Sequence, residues 1–283
     1  MAGEMAPGNQ AIRLEGLWIY PVKSCAGVAV PNAELDAQGG LKGDREWIVV
    51  NASGEMQWQG GTPRLALVQP VAGPDGLRLQ ASGMPSLAID PQSAGGACAV
   101  KIWNESTGAF DTFPGLDVGR AAKAWLSEFL GLSLRLVRLG PEARRRQTLK
   151  PLHVLTVASW RRLNECLRSQ GHPPAELLRF RPNLLLDSAA GTLAPFAEED
   201  FSQIIWPGAP GSPRLKLTEA CARCVMVNVD PGDASVAKEP LATVARLSRD
   251  RRPDDKVCFG VYGQGQNGGV LTRGDLGWAD FRH

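Results

Sequence analysis

The chain has 283 residues, 43% of them hydrophobic and 21% charged, with a formal net charge of +2. This composition supports a packed core and excludes extended disorder, and so small a net charge excludes nucleic acid as the main ligand. No stretch approaches the roughly 18 apolar residues of a membrane helix, and the N-terminus, MAGEMAPGNQ, lacks the charged-then-apolar order of a signal segment.

The first 110 or so residues read as strands and turns. "RLEGLWIYPVKS" sets Leu14, Leu17 and Ile19 against polar or turn residues, and "REWIVVN" is a short apolar strand closed by Asn51, Ser53 and Gly54. "LRLQ", "SLAI" and "ACAVKIW" follow at short spacing between Gly, Pro and Ser turns, as in a small barrel or twisted antiparallel sheet. The period then changes. "LDVGRAAKAWLSEFLG" predicts a helix capped by Asp117 and stopped at Gly131, with Trp125, Leu126, Phe129 and Leu130 on one face. "LSLRLVRL" and "LHVLTV" are strands on either side of a basic run, Arg144 to Arg146 and on to Lys150, which is either a solvated loop or an anion-binding lip. Ser159 opens a helix to about Ser169, "NLLLD" is a short buried strand, and the stretch around Cys221 and Cys224 reads as a strand. "EPLATVARLSRD" is a helix with Pro240 in its first turn, and "VCFGVYGQ" and "GGVLTRGD" close the chain as strands. The fold class expected is α+β, predominantly β: an N-terminal barrel-like unit over residues 12–118, then a second β-barrel unit with a few helices over 119–283.

"GQGQNG", residues 263–268, matches a dinucleotide-binding pattern, but no helix is expected after it, so a hairpin turn is the reading. The six cysteines, 25, 98, 166, 221, 224 and 258, are scattered rather than framework-like, which suits a reducing cytoplasm. Cys221 and Cys224 form a CxxC with no second ligand pair and three histidines spread far apart, so zinc, a redox dithiol and a pair with one working sulfur all stay open.

Four polar clusters interrupt the apolar strands: "YPVKSCAG", "GGLKGDREW", "RFRPN" and "EACARCVMVNVDP". Together they offer Lys23, Ser24, Arg45, Arg181, Asn183 and Arg223 alongside a thiol. Guanidinium forks bind phosphate bidentately, and a thiol among cations is the better metal ligand. A phosphorylated ligand that brings a soft metal fits that set.

These stretches resemble the MOSC-domain proteins that carry an N-terminal β-barrel domain, a family that includes the mitochondrial amidoxime reducing component and its bacterial relatives. The resemblance runs from about Ile12 to Asp275 through "YPVKSC", "GLKGDREWIVV", "VKIWN", "WLSEFLG", "VASWRRLN", "FRPN", "CARCVMVNVDP", "KEPLATV" and "FGVY", in the family's order. It implies a molybdenum–molybdopterin cofactor with Cys224 as metal ligand and catalytic residue. The cofactor contacts it implies are Lys23, Ser24, Arg45, Thr156, Ser159, Arg181, Asn183, Arg223 and Tyr262, which require the early clusters to fold back on the second half. The activity implied is reduction of small N-hydroxylated compounds, with electrons from a separate haem or iron–sulfur protein and its reductase, because the chain lacks the cysteines of a fused iron–sulfur domain. The alternative is a carrier that binds molybdopterin and hands it, or a sulfur, to another enzyme. Cys221 is expected to be no more than a small buried residue. One departure is Thr148, where several relatives carry an acidic residue.

Overall fold

The computed structural model describes residues 9–73, 76–90, 96–146, 150–189, 193–254 and 256–282; Thr148 lies outside them. The first unit runs β1 (Asn9–Ile19), β2 (Val28–Ala29), β3 (Asn32–Glu34), β4 (Trp47–Val50), β5 (Gln69–Gly73), β6 (Gly76–Gln80), β7 (Leu87–Ile89), β8 (Gly96–Asn104) and β9 (Ala109–Asp117). Then come α1 (Arg120–Leu130), β10 (Arg135–Leu139), α2 (Pro141–Arg144), β11 (Leu152–Thr156), α3 (Val157–Ser169) and β12 (Leu184–Ser188). The chain ends with β13 (Phe201–Ile205), β14 (Arg214–Ala222), α4 (Leu241–Arg249), β15 (Cys258–Gly265), β16 (Val270–Thr272) and β17 (Leu276–Phe281).

One sheet has the order β12-β11-β15-β14-β13-β17-β1, and β1 pairs back with β12, closing a seven-stranded barrel. Only β11 and β12 run parallel, with α3 in the crossover between them. Ile12, Leu14, Leu17, Leu152, Val154, Leu184, Leu186 and Val261 share its core. Leu14 and Leu17 reach the same face at an odd spacing because a bulge shifts the β1–β12 register between Leu14 and Gly16. The first strand of the chain therefore completes a barrel otherwise made from the second half.

A second sheet, β4-β10-β9-β8, stands beside the barrel. Its strand β4 reads as an unbroken apolar run because both faces are covered: Val49 joins the core beneath α1, while Ile48 and Val50 join the opposite one. Trp125, Leu126, Phe129 and Leu130 bury the inner face of α1 against Leu134, Leu136 and Leu65. So α1 and β10 follow residue 118 in the chain yet pack against strands that precede it.

The element ends differ from the sequence reading in a few places. Asp117 closes β9 instead of capping α1; its carboxylate accepts from Gly119 N at 2.8 Å and pairs with Arg135 at 3.0 Å. Gly131 does end α1, in the left-handed conformation at φ 70°. α3 begins two residues before Ser159, with Thr156 as cap. The turn after β15 is not a hairpin, since β16 pairs with β3. Among the described residues no helix is long and apolar enough to cross a membrane.

Leu14→Ala removes a fully buried side chain from the strand that closes the barrel. Urea unfolding should show a loss of about 2–5 kcal/mol.

Candidate functional site

The site forms where β1 leaves the barrel. Pro21 ends the strand and the chain turns at once through Val22 to Cys25, tied by Lys23 N to Trp47 O at 2.8 Å. Tyr20, the last residue before that turn, is fully buried. Its hydroxyl donates to Pro182 O at 3.0 Å, and its backbone N–H donates to Asp44 Oδ1 at 2.6 Å. Its ring carries two guanidinium groups, Arg181 at 4.1 Å and Arg45 at 5.2 Å from the centroid. One phenol thus gathers residues from three separate sequence clusters.

Around it the polar network is continuous. Arg45 pairs with Asp44 and donates to Asn183 Oδ1 at 3.2 Å. The same Asn183 oxygen accepts His153 N at 3.1 Å, while Asn183 Nδ2 donates to Trp18 O at 3.1 Å. Arg181 donates to Cys25 O at 2.5 Å. Arg223 donates to Phe180 O at 2.8 Å and to the Cys221 sulfur at 3.0 Å. His153 and Tyr262 stand opposite each other on β11 and β15, and His153 Nδ1 is buried without a hydrogen-bond partner. Gly260, at φ 75°, makes room for the imidazole, since a Cβ there would stand 2.4 Å from His153 Nε2.

Three predicted contacts are held in strained backbone. Ser24, Arg45 and Arg181 have φ of 69°, 51° and 53°, in the left-handed region that non-glycine residues avoid. Each costs about 1–3 kcal/mol and persists only where the surroundings enforce it, and such strain gathers at functional sites. Ser24 Oγ, Arg181 Nη2 and Arg223 Nε are also buried without a partner. Buried polar atoms are normally satisfied, so these three are the ones an anionic, oxygen-rich ligand would complete.

The electrostatics point the same way. A cleft is lined by Lys23, Arg45, Arg144 and Arg146 with Asp36 and Asp44. Arg144 is engaged by Asp36 at 2.9 Å and Glu46 at 3.3 Å, and Arg45 by Asp44. Among the described residues Lys23 and Arg146 have no such carboxylate pair. Burial, then repulsion from Arg146, Arg45 and Arg181, lowers the Lys23 ammonium to about 8. Burial and Arg45 lower Arg146, and burial chiefly lowers Arg181, to about 10. Arg45 differs: burial works against its charge, but Asp44 more than offsets this and raises it. A cluster of cations that depress one another is stabilised by a bound anion. The basic run thus supplies two lining residues, Arg144 and Arg146, that sequence reasoning left out of the site.

The structure brings Lys23, Ser24, Arg45, Arg181, Asn183, Arg223 and Tyr262 into this region. Thr156 and Ser159 are placed differently. Both are fully buried, and their hydroxyls donate to Glu198 Oε2 at 2.7 and 2.8 Å. Burial raises the Glu198 carboxyl despite these two donors. The side chains that should contact a cofactor are spent on an internal acid near the start of α3. Cys224 is exposed and sits in the turn after β14, at the head of a short 3-10 segment, not in a strand.

Sequence reasoning also missed Tyr20, His153 and the environment of Cys221. One signal was available: the chain has only two tyrosines, Tyr20 and Tyr262, and both stand here. Among the described residues no group of three or more His, Cys, Asp or Glu is placed to hold a metal ion. A metal carried by a bound ligand needs only one protein sulfur, and Cys224 is accessible.

Comparison with known proteins gives two matches to family models: a MOSC N-terminal beta barrel domain over residues 11–133 and a MOSC domain over 141–276. Mitochondrial amidoxime-reducing component 1 of Mus musculus is 31% identical over 289 residues, covering 92% of this chain and 79% of that protein. The Homo sapiens protein of that name is 29% identical over 287 residues, covering 92% and 80%. A molybdenum cofactor sulfurase of Danio rerio is 31% identical over 275 residues; the match takes in 88% of this chain but spans only 31% of the sulfurase.

The cleft should bind inorganic pyrophosphate, read by calorimetry on the cofactor-free chain. Affinity should fall as pH rises from 7 to 9, because Lys23 loses its charge near 8. Arg146→Ala should weaken binding several-fold at pH 7, and Arg145→Ala should not.

Proposed function

The chain belongs to the MOSC-domain family, with the N-terminal barrel domain in front, and from that premise we propose that it is a molybdenum cofactor-dependent reductase of N-hydroxylated compounds. The observation that carries this reading is the set of buried, unsatisfied or mutually repelling cations beside an accessible cysteine. Lys23, Arg45 and Arg146 suit the phosphate of a molybdopterin. Ser24, Arg181 and Arg223 offer donors to its oxygens and ring, and Cys224 offers the sulfur. Bound there, the cofactor would supply two-electron chemistry at its metal.

The residues themselves bind, orient and shield. Tyr20 carries Arg45 and Arg181 over its ring, and Arg181 Nη2, buried without a partner, is free for a ligand. Asn183 fixes Arg45 relative to β11. The exposure of Cys224 lets both a small substrate and an electron donor approach. The reaction is R–NH–OH + 2 e⁻ + 2 H⁺ → R–NH₂ + H₂O. A separate haem or iron–sulfur protein with its reductase would supply the electrons.

A second reading has one observation in its favour, the similarity to a segment of a molybdenum cofactor sulfurase. There the chain would bind the cofactor and pass it on without turnover of its own.

The test is protein made in a host that synthesises the cofactor. Elemental analysis should find close to one molybdenum per chain, and with a chemical reductant the protein should reduce benzamidoxime. Cys224→Ser should abolish reduction. Stoichiometric molybdenum with no reduction of any N-hydroxylated compound selects the carrier; no molybdenum overturns both readings.

A further inference from the structure

Glu198 is 0% exposed in the short 3-10 turn Ala197–Glu199, and its Oε1 has no partner. Its Oε2 belongs to a triangle of oxygens. Thr156 Oγ1 and Ser159 Oγ stand 2.7 and 2.8 Å from it, and 2.7 Å from each other. Two hydroxyls bring two hydrogens, and three contacts need three. With an ionised carboxylate both hydroxyls donate to Oε2, and their own oxygens then face each other with no hydrogen between them. With a hydrogen on Oε2 the bonds circulate: the carboxyl donates to one hydroxyl and accepts from the other. Ser159 N also donates to Thr156 Oγ1 at 3.2 Å, and Phe196 N to Ser159 Oγ at 2.7 Å. Each hydroxyl then donates once and accepts twice, which is its full capacity.

The surroundings offer no counter-charge. Among the described residues no cation pairs with Glu198. Arg251 and Arg252 are turned to Glu199, at 2.9 and 3.5 Å. On β11, His153 Nε2 lies against Phe259 O at 3.1 Å; on α3, Arg162 pairs with Glu165 at 3.5 Å. On β15, Cys258 is a raised thiol and Tyr262 a raised phenol, so neither supplies a charge. The start of α3 favours negative charge, but its Ser159 amide is taken by Thr156. Burial raises the Glu198 carboxyl against the two hydroxyls and its own amide, and Glu199 adds to the rise. The turn is also under tension, since Phe196, just before it, is held at φ 68° in the left-handed region.

We propose that Glu198 is a proton-operated latch: as a neutral acid it fastens the turn Ala197–Glu199 to the junction of β11 and α3, and on ionising it lets that turn go. Ionisation sends the third hydrogen to solvent and leaves a buried charge with no cation and an Oε1 with no donor, which burial does not tolerate. The latch adjoins the strand behind the cofactor cradle: β11 ends at Thr156, and its His153 exchanges backbone bonds with Asn183, N to Oδ1 at 3.1 Å and O from N at 2.8 Å. It does not depend on the reductase reading.

Three measurements on the full cofactor-free chain test this. In protein with ¹³C-labelled glutamate carboxyls, one glutamate should stay protonated at pH 7 and be missing in Glu198→Gln. Glu198 is the one fully buried glutamate among the described residues, so wild type alone decides this even if the variant does not fold. Every glutamate ionised at pH 7 in folded wild type overturns the neutral acid, and a carboxyl still protonated at pH 10 overturns the switching. The second is urea unfolding of wild type and Glu198→Gln from pH 5 to 8. The unfolded glutamate loses its proton above its ordinary value of 4.5 while the folded one keeps it, so the latch stabilises fully below that pH and less as pH rises. The unfolding constant of wild type should rise relative to the variant by about tenfold per pH unit until the folded group ionises. Parallel pH dependences overturn the latch. The third is hydrogen exchange of residues 193–200. Above the pH at which the protonated signal is lost, wild type should exchange faster there than Glu198→Gln, and equal protection in the two overturns the release.

Discussion

Two guanidinium groups on one buried phenol hold this site together. Tyr20 directly follows the strand that closes the barrel, and Val22, two residues on, bridges to Trp47 of the neighbouring sheet. Arg181 and Arg45 lie over its ring, and its hydroxyl reaches Pro182. Remove that ring and the Arg45–Asn183 hydrogen bond is left to bring the two arginine segments together against the repulsion of like charges. Cation–π attraction is worth about 2 kcal/mol or more when desolvated, enough to offset part of that repulsion. The remainder falls on Asp44 and on whatever anion the cleft binds. Burial pushes the Tyr20 phenol up, so it stays a neutral platform even between two cations.

Much of the architecture was legible because the hydrophobic pattern is local. The unbroken run "WIVV" could only be a strand covered on both faces, and both faces are covered. The helix ending at Gly131 carries its apolar stripe where the spacing puts it. What the pattern cannot carry is pairing at long range. No periodicity says that residues 12–17 lie between β12 and β17 and complete a barrel from the other half of the chain. The Asp117 cap failed for a related reason: the carboxylate had a partner, Arg135, on a strand still to come.

The site was legible as a set of residue types and less so as a geometry. Lys23, Arg45, Arg181 and Asn183 follow from motifs, and the structure gathers them. Thr156 and Ser159 follow from the same motifs, yet their hydroxyls face a carboxyl 42 and 39 positions further along the chain. Glu198 opens a run of three acids with Glu199 and Asp200, and nothing in that run announces that its first member is buried. Burial changes the chemistry of a carboxyl completely, and burial is a property of the fold.

The two cysteines make the same point at closer range. In sequence they are equivalent, and the more plausible reading gave one of them metal chemistry and the other none. The strand ends between them. Cys221 is the last residue but one of β14 and is buried. Cys224 is past the end, where no strand covers it. Arg223, between them, turns back to the buried sulfur and to Phe180 O. A guanidinium spent on one sulfur is not turned to the other, so the two sulfurs are separated in surroundings by the point at which a strand stops. Three residues of backbone are enough to place one sulfur inside the fold against Arg223 and the other at the surface.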